Sequence, residues 1–568
     1  MATDVVIVGG GPSGLVLGLS LARYKIKSVI LEKEKDITSD PRGVVLTGDA
    51  LRSLWPLGLG AHISSIGQEY YLRQLVNSSE YCSLRPGCEV IGRTEHPNGL
   101  TVSYLPPNSK ETQQITASYL VGADGKRGIV RKHFLELSAG IRQEPGIFEY
   151  EGTWIAANLK ITPPTPETHP NFPLWDAGYD AESVYDLFWP PNWHFCRPPG
   201  RPIACGRFGV AADRLWRHEF AVPDWDDSMD AGVLFWEHLV PIITRGVRSR
   251  RRGGELVQVT FPRDCIEVLR CRAFKFSHRV VNRWFAKRTI LIGDAAHVFP
   301  PFGGQGVACG VQDAVGLAWR LAILTTTSTT ATSTQEEALL QSWATRITRQ
   351  NGAVQLILLK LGMALASLVG QSVPHELANP QGYRGCVDGT FLADYGGGIK
   401  LAQIYMQARL PDCQGARIGL SDQFLRGVPT IFTLLVVVSK QGWSSGTEND
   451  LVSLLQGLRQ SGVHPSLLSD ESVVLFDPSS NSADMEFTPS TAGCRWPVCR
   501  TASAGLLAGY PMRPGYSTQQ FMRRLNNFHS NPRYVLVRPD SIVYAMASDL
   551  LGLKECLNTL GKTLCRLE

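Results

Sequence analysis

Residues 4–8 (DVVIV) form an unbroken β-branched run, the pattern of a parallel strand buried on both faces. Six glycine-rich residues follow at once (GGGPSG, 9–14). Apolar positions over 15–24 then predict a helix, and 28–31 a second short strand that ends in Glu32. Strand, glycine turn, helix and strand in about 30 residues make a βαβ unit. Further on, the pattern predicts a helix over 47–59, short strands over 89–102 and an apolar strand over 119–123. That strand leads through Asp124-Gly125 into a basic helix with Arg127, Arg131 and Lys132. From 153 to 262 the chain is rich in Trp, Phe and Pro, with strand-like runs at 183–189, 203–210 and 255–261. These predict an inserted, mostly antiparallel sheet. The α/β pattern returns with a strand over 289–292 and a glycine-rich helix entry. A Thr/Ser/Ala loop at 325–334 and a helix over 336–369 follow. From about 415 a separate α/β unit is expected, ending in a hairpin over 534–544 and a helix over 550–560.

Composition narrows the class. With 43% apolar and 19% charged residues the chain is globular, and a formal net charge of +5 excludes a strongly basic nucleic-acid binder. The 55 glycines in 568 residues exceed the usual ~7% and point to tight backbone turns, cofactor loops among them. The 13 cysteines include no C-x-x-C pair, so neither a zinc site of ordinary spacing nor a thiol redox pair is expected. A reducing, cytoplasmic location fits, since no secretory leader pattern opens the chain. The apolar stretches 5–22 and 353–369 are too interrupted for membrane spans. Five arginines in 245–252 read as a solvated loop, with steering of cofactor phosphates second.

Gly9-x-Gly11-x-x-Gly14 has the form of the dinucleotide fingerprint: a tight turn, close approach of backbone to a pyrophosphate, and close helix–strand packing. The helix N-terminus turns free N–H groups toward phosphate. Glu32, 18 residues beyond Gly14, lies where an acid binds a ribose hydroxyl. Asp294 ends the later strand, where a carboxylate can accept hydrogen bonds from polyol hydroxyls such as a ribitol chain. The loop from Pro300-Pro301 through Gly303-Gly304-Gln305-Gly306 can present N–H groups to an electron-rich ring.

These three motifs, Gly9–Gly14 with Glu32, Ala123-Asp124-Gly125 with Arg131, and Gly293-Asp294 through Asp313, resemble the class A flavoprotein monooxygenases, the aromatic hydroxylases related to p-hydroxybenzoate and phenol hydroxylase. The look is nearest to the branch with a C-terminal thioredoxin-like domain. The resemblance implies a mixed α/β fold: a Rossmann-type FAD domain in two parts (1–150 and 276–410, the second with a helical segment), an inserted antiparallel-sheet substrate domain (151–275) and a redox-inactive thioredoxin-like domain (411–568). Gly9, Gly11, Gly14, Glu32 and Lys33 would hold the ADP half of FAD. Arg42 would contact the cofactor, Asp124 would serve both FAD and NAD(P)H, and Asp294 would bind the ribitol. Pro301, Gly304, Gly306 and Val307 would lie beside the flavin ring. The family pattern has Ser where this chain has Gly128, and Met/Leu-Asn where it has Val307-Ala308.

The implied reaction is NAD(P)H- and O2-dependent hydroxylation of a phenolic or polyketide-type aromatic, as in secondary metabolism, through a flavin C4a-hydroperoxide. Baeyer–Villiger insertion and epoxidation stay open, as does an FAD-binding scaffold without oxygenase activity; the Trp-x-Trp-x-Ile-Pro motif of halogenases is absent. Among sheet-domain side chains, Tyr185 and Arg217 are the catalytic candidates, with His194 and Arg207 behind them, and His297 is assigned a packing or hydrogen-bonding role. The implied partners are a small aromatic substrate and O2, with no nucleic acid, and a homodimer is left open.

Overall fold

The computed structural model describes residues 2–37, 46, 49–59, 68–146, 150–196, 203–209, 211–248, 255–299, 305–326, 333–350, 390–411, 415–438, 445–457, 463–478, 495–510 and 516–564. The chain opens with β1 (Ala2–Val8), α1 (Pro12–Ala22) and β2 (Ser28–Glu32), then α2 (Asp49–Leu54), α3 (Gln68–Asn77), β3 (Cys82–Pro86), β4 (Glu89–His96), β5 (Gly99–Leu105) and β6 (Gln113–Gly122). Proline at the first position of α1 suits a helix start, where its missing N–H costs nothing. Leu15, Val16, Leu17, Leu19 and Leu21 are all buried, so α1 is a core helix rather than an amphipathic surface one. The basic helix expected after Asp124 begins only at Val130, as one wide turn over Val130–Leu135 that continues into α4 (Glu136–Ala139); Arg127 lies in the turn before it.

Beyond β7 (Gln143–Pro145) come β8 (Glu151–Ile161), α5 (Ala181–Phe188), β9 (Trp193–Cys196), β10 (Ile203–Phe208), β11 (Leu215–Val222), α6 (Ala231–Ile242), β12 (Thr244–Arg248), β13 (Leu256–Thr260) and β14 (Ile266–Ser277). The order β14-β8-β11-β10-β9 makes a five-stranded antiparallel sheet, as the sequence predicts. One expectation fails inside it: the strand-like run at 183–189 lies almost wholly in helix α5. Asp180 accepts the Ser183 N–H at 2.8 Å and the Ser183 hydroxyl returns a bond to its backbone, a capping box that starts a helix. Val184, Tyr185 and Phe188 then share one buried stripe, a helical spacing that a seven-residue apolar run hides.

The chain returns through β15 (Arg279–Val281), β16 (Phe285–Ala286), β17 (Thr289–Leu291), β18 (His297–Val298), α7 (Gln305–Thr326) and α8 (Ser333–Gln350). β17 pairs with β6 in parallel, completing the order β16-β17-β6-β1-β2-β3, with β5 joining β6 and β4. The sheet of the first segment is thus closed by strands some 170 residues later, with the antiparallel sheet inserted between. Helix α7 is long and apolar enough to cross a membrane, but 83% of that stretch is buried within the fold, which makes it a core helix.

A third unit holds β19 (Tyr405–Arg409), β20 (Ala416–Leu420), β21 (Thr433–Val437), β22 (Val473–Asp477), β23 (Val498–Thr501), β24 (Tyr534–Val537) and β25 (Val543–Ala547), in the order β20-β19-β23-β22-β21-β24-β25. Its last helix, Leu550–Leu564, follows the expected hairpin. The unit begins before the expected residue 411: β19 is one of its strands, and Leu392 N–H already donates to Tyr544 O of β25 at 2.8 Å. Its core is continuous with that of the first sheet, for Trp319 of α7 meets Phe432 edge-on at 5.9 Å, and Phe432 meets Tyr544 at 5.7 Å.

A buried ionic cluster crosses the same boundary. Asp422 has no exposed surface and takes both Nε (2.5 Å) and a terminal nitrogen (2.8 Å) of Arg52 from α2. It also accepts from Gln403 (2.8 Å) and from Ser541 Oγ (2.7 Å), which in turn accepts from Arg426 at 2.9 Å. Burial alone would push its carboxyl up, but the Arg52 and Arg426 guanidiniums outweigh that and hold it well below the usual carboxylate range. Asp422→Ala leaves two arginines uncompensated in the interior and should cost ~3–5 kcal/mol in urea unfolding; a loss under ~1 kcal/mol, as for a surface pair, would refute this. The wild-type contribution is complete above about pH 4 and fades as pH falls through the folded-state value, so Asp422→Asn should flatten the acid limb of the stability profile.

Candidate functional site

Three loops meet at the C-terminal ends of the parallel strands, the usual ligand position in such sheets. In the first, Gly9 ends β1 with φ +108°, and a Cβ there would lie 2.4 Å from Ala123 O, in the loop after β6. A Cβ on Gly14 would lie 2.1 Å from Gly9 O, so the helix start sits directly on the strand end. At Gly11, the N-cap of α1, a Cβ would meet nothing within 4 Å. The N-terminus of α1 therefore opens onto free space, as phosphate binding requires. Glu32 reaches back over the turn: its carboxylate accepts from Gly10 N–H at 2.6 Å and from Glu34 N–H at 2.8 Å. Lys33 beside it is exposed, 3.6 Å from the Glu34 carboxylate.

In the second loop, Asp124 Oδ2 accepts from Val130 N–H at 2.9 Å, while Oδ1 is buried and without a hydrogen-bond partner among the described residues. Burial pushes this carboxyl up to about 6, against the pull of the Val130 N–H and Arg131. The departure at Gly128 has a steric cause: a Cβ there would lie 2.1 Å from the Asp124 carboxyl carbon. Glycine lets this carboxylate fold against the turn.

The third loop is the short turn Gly293–Ala295, where Gly293 has φ +59° and Asp294 is exposed. Ser13, in the first turn of α1, inserts its hydroxyl between Gly293 and Gly310 of α7; Cβ atoms at those glycines would lie 2.6 and 2.1 Å from it. Asp313 of α7 pins the turn from below, accepting from Gly293 N–H at 2.9 Å and lying 2.6 Å from His297 Nε2. Burial would lower the fully buried His297, but the Asp313 carboxylate outweighs it and raises the imidazole pKa. His297 thus takes the hydrogen-bonding role that was one of its two expected roles, with Asp313 as its ionic partner. Gly306, at the start of α7, has open space where a Cβ would be, and Val307 packs against the core. Arg42, Pro301 and Gly304 lie outside the described residues.

A buried acceptor without a partner, the N-terminus of α1 opening onto free space at Gly11 and an exposed carboxylate fit an elongated, phosphate-bearing polyol cofactor such as FAD.

The two candidates from the inserted sheet are not brought together. Tyr185 lies in the apolar core between α5 and the sheet, with the Arg207 guanidinium 4.0 Å over its ring. Arg217, on β11, alternates with Trp216 and His218 and projects from the opposite face. There it donates to Asn158 (2.8 Å) and pairs with Glu219 (3.1 Å). Acting jointly on one substrate atom is excluded for this pair. The sequence reading missed Asn158, Glu219, Arg270 and Arg272, which share that second face with Trp154 and Phe274. An asparagine in the otherwise apolar run 154–159 was the available signal.

This geometry defines an FAD-binding α/β protein, and comparisons agree. A family model described as an FAD binding domain matches residues 2–76, 61–169 and 256–345, leaving out most of the inserted sheet. The chain is 26% identical over 358 residues to a 3-(3-hydroxy-phenyl)propionate/3-hydroxycinnamic acid hydroxylase of Burkholderia cenocepacia, covering 56% of this chain and 57% of that one. It is 26% identical over 355 residues to a rifampicin monooxygenase of Streptomyces venezuelae, covering 56% and 64%. The match thus spans less than two thirds of either relative. Among solved structures, the flavin-dependent monooxygenase PieE, in complex with FAD and substrate, covers 99% of both chains at TM-score 0.62 and 15% identity. Aklavinone-11 hydroxylase, with FAD and aklavinone, does so at TM-score 0.59 and 16% identity. At such identities these structures speak for the fold. Residues 2–169 and 256–345 thus form an FAD-binding domain, in a chain similar to flavin-dependent aromatic hydroxylases.

Gly310→Ala should cost ~1–3 kcal/mol by overpacking, and adding Ser13→Ala, which removes the clashing hydroxyl, should recover most of it. Urea unfolding of the two single variants and the double variant checks this; strictly additive losses would mean that Ser13 is not the obstruction.

Proposed function

We propose that the protein is a monooxygenase that uses NAD(P)H, O2 and bound FAD to hydroxylate a phenolic or polyketide-type aromatic compound. The observation that carries this is the convergence of three glycine turns at the first turns of α1 and α7, beside an unpartnered Asp124 oxygen. The activities of the relatives support the aromatic substrate class. When bound, FAD supplies hydride acceptance and oxygen activation.

The chain's own residues then bind and orient. The N–H groups at the start of α1 would take the pyrophosphate, with Gly11 clearing the approach. Glu32 would take the ribose: two backbone N–H groups already orient its carboxylate, and each oxygen keeps a lone pair for a hydroxyl. Lys33 and Arg42 would flank this half. Asp294 would hold the ribitol, on a turn whose position Asp313 and Ser13 fix. Pro301, Gly304, Gly306 and Val307 would edge the ring, excluding water and offering backbone N–H groups. Asp124 would accept a hydrogen bond from FAD or NAD(P)H. In the inserted sheet we assign substrate contact to the Arg217 face and a packing role to Tyr185.

The C-terminal unit supports a thioredoxin-like reading: β22 and β21 run parallel, and the antiparallel pair β24-β25 follows beside β21. Its described cysteines, Cys499 and Cys556, are buried and unpaired thiols, which favours a structural role.

Purified yellow protein should oxidise NADPH faster in the presence of some member of a panel of phenols and polyketide aromatics, giving a product heavier by one oxygen. FAD-loaded protein that no member stimulates would favour the scaffold reading instead, and product structure separates hydroxylation from ring insertion or epoxidation. Asp294→Ala should purify largely colourless. Glu32→Ala should weaken FAD binding about 10–100-fold, the loss of one or two hydrogen bonds to a charged group worth ~1.5–3 kcal/mol. Unchanged FAD titrations would remove both residues from the site.

A further inference from the structure

Remote from the three cofactor loops, on the edge of the inserted sheet unit, His169, Asp264 and Cys265 bring three unlike donors together. His169 Nε2 lies 3.3 Å from each Asp264 oxygen and 3.9 Å from Cys265 Sγ, and one donor atom from each residue falls within 4.8 Å of the others. Zinc bonds of ~2.0–2.2 Å to nitrogen and oxygen and ~2.3 Å to sulfur put tetrahedral ligands about 3.3–3.6 Å apart. The two separations from His169 lie within a few tenths of an ångström of those edges, and the Asp264 and Cys265 donors, within 4.8 Å of each other, need only small side-chain rotations to complete them.

We propose that these residues form a zinc site, with water as the fourth ligand. The donor set mixes imidazole, carboxylate and thiolate, which suits zinc over calcium or magnesium. His169 Nδ1 lies 3.0 Å from Thr168 Oγ1, a partner that can take the ring proton on that side and leave Nε2 its lone pair for metal. The backbone holds the donors in place: Trp175 Nε1 donates to His169 O at 2.7 Å, and Thr162 N–H donates to Cys265 O at 3.0 Å. Asp264 is 76% exposed while Cys265 is buried beneath it, so an aqueous ion has an open approach and the thiol closes the site from the protein side. The zinc would staple the β8–α5 connection to the short turn Arg263–Cys265 that leads directly into β14, the strand bearing Arg270 and Arg272. Because the ligands are 95 and 96 residues apart along the chain, no spacing motif marks them.

The test is zinc retention by the FAD-loaded, chelator-treated protein after incubation with zinc and desalting. Wild type should keep one equivalent more than H169A, D264N or C265S, each weakening binding at least tenfold, while the variants stay yellow with unchanged far-ultraviolet circular dichroism. Zinc X-ray absorption of the wild type should show one sulfur among nitrogen and oxygen neighbours. Equal zinc in wild type and variants, or a shell without sulfur, overturns the site. Neither readout involves hydroxylation, so a negative result leaves the flavoenzyme reading standing.

Discussion

The cofactor region depends on backbone meeting backbone where no Cβ fits. The loop after β6 lies on Gly9, the start of α1 lies on the carbonyl of Gly9, and Ser13 is wedged between Gly293 and Gly310. The first and last of these contacts join segments far apart in the chain, and the last joins the N-terminal βαβ unit to the returning helix. Such contacts lock geometry rather than add much attraction, because a close-packed interior tolerates little displacement. The exposed Asp294 and the open N-terminus of α1 hold a defined mutual position for that reason. A long cofactor held as we propose would need this rigidity, since the segments at its two halves lie nearly 300 residues apart.

That rigidity extends into the C-terminal unit. Arg52 leaves α2 to meet Asp422, and α2 packs against α7, whose Gly310 and Asp313 hold the third loop. The unit is therefore fastened to an element touching the cofactor region, by a fully buried carboxylate shared among two arginines, a glutamine and a serine. Buried ion pairs gain little net stability over an apolar filling but are intolerant of mispairing. Here that intolerance fixes the docking register, while the apolar contact of Trp319, Phe432 and Tyr544 supplies cohesion.

Local signals were the legible ones. The βαβ unit over residues 4–32 could be read because a β-branched run, a glycine turn and a terminal acid fall in one short stretch. The stretch 183–189 could not, because seven mostly apolar residues fit strand and helix alike and the cap at Asp180 decided it. The boundary near 411 fell late because residues 390–404 form no strand or helix beyond one short turn, and backbone bonds to Tyr544 and Ser541, distant in sequence, tie them to the unit. Contacts such as Arg52 with Asp422, 370 residues apart, leave no trace in a single sequence.

The inserted sheet separates two jobs by its pleat. One face buries Ile155, Ala157, Leu159, Trp216 and Phe220 beneath α5 and α6, and Tyr185 belongs to that layer. The other face carries Asn158, Arg217 and Glu219 in a mutually satisfied polar row, with Arg272 and Phe274 alongside. Polar groups this buried are costly unless each is paired in a fixed geometry. A sheet needing only a core would not keep a charged row on its second face, so the face that raises the cost is the one we read as facing chemistry. Alternation along β11 puts Arg217 on that face, and Tyr185 is on the wrong side of the sheet to share a substrate with it.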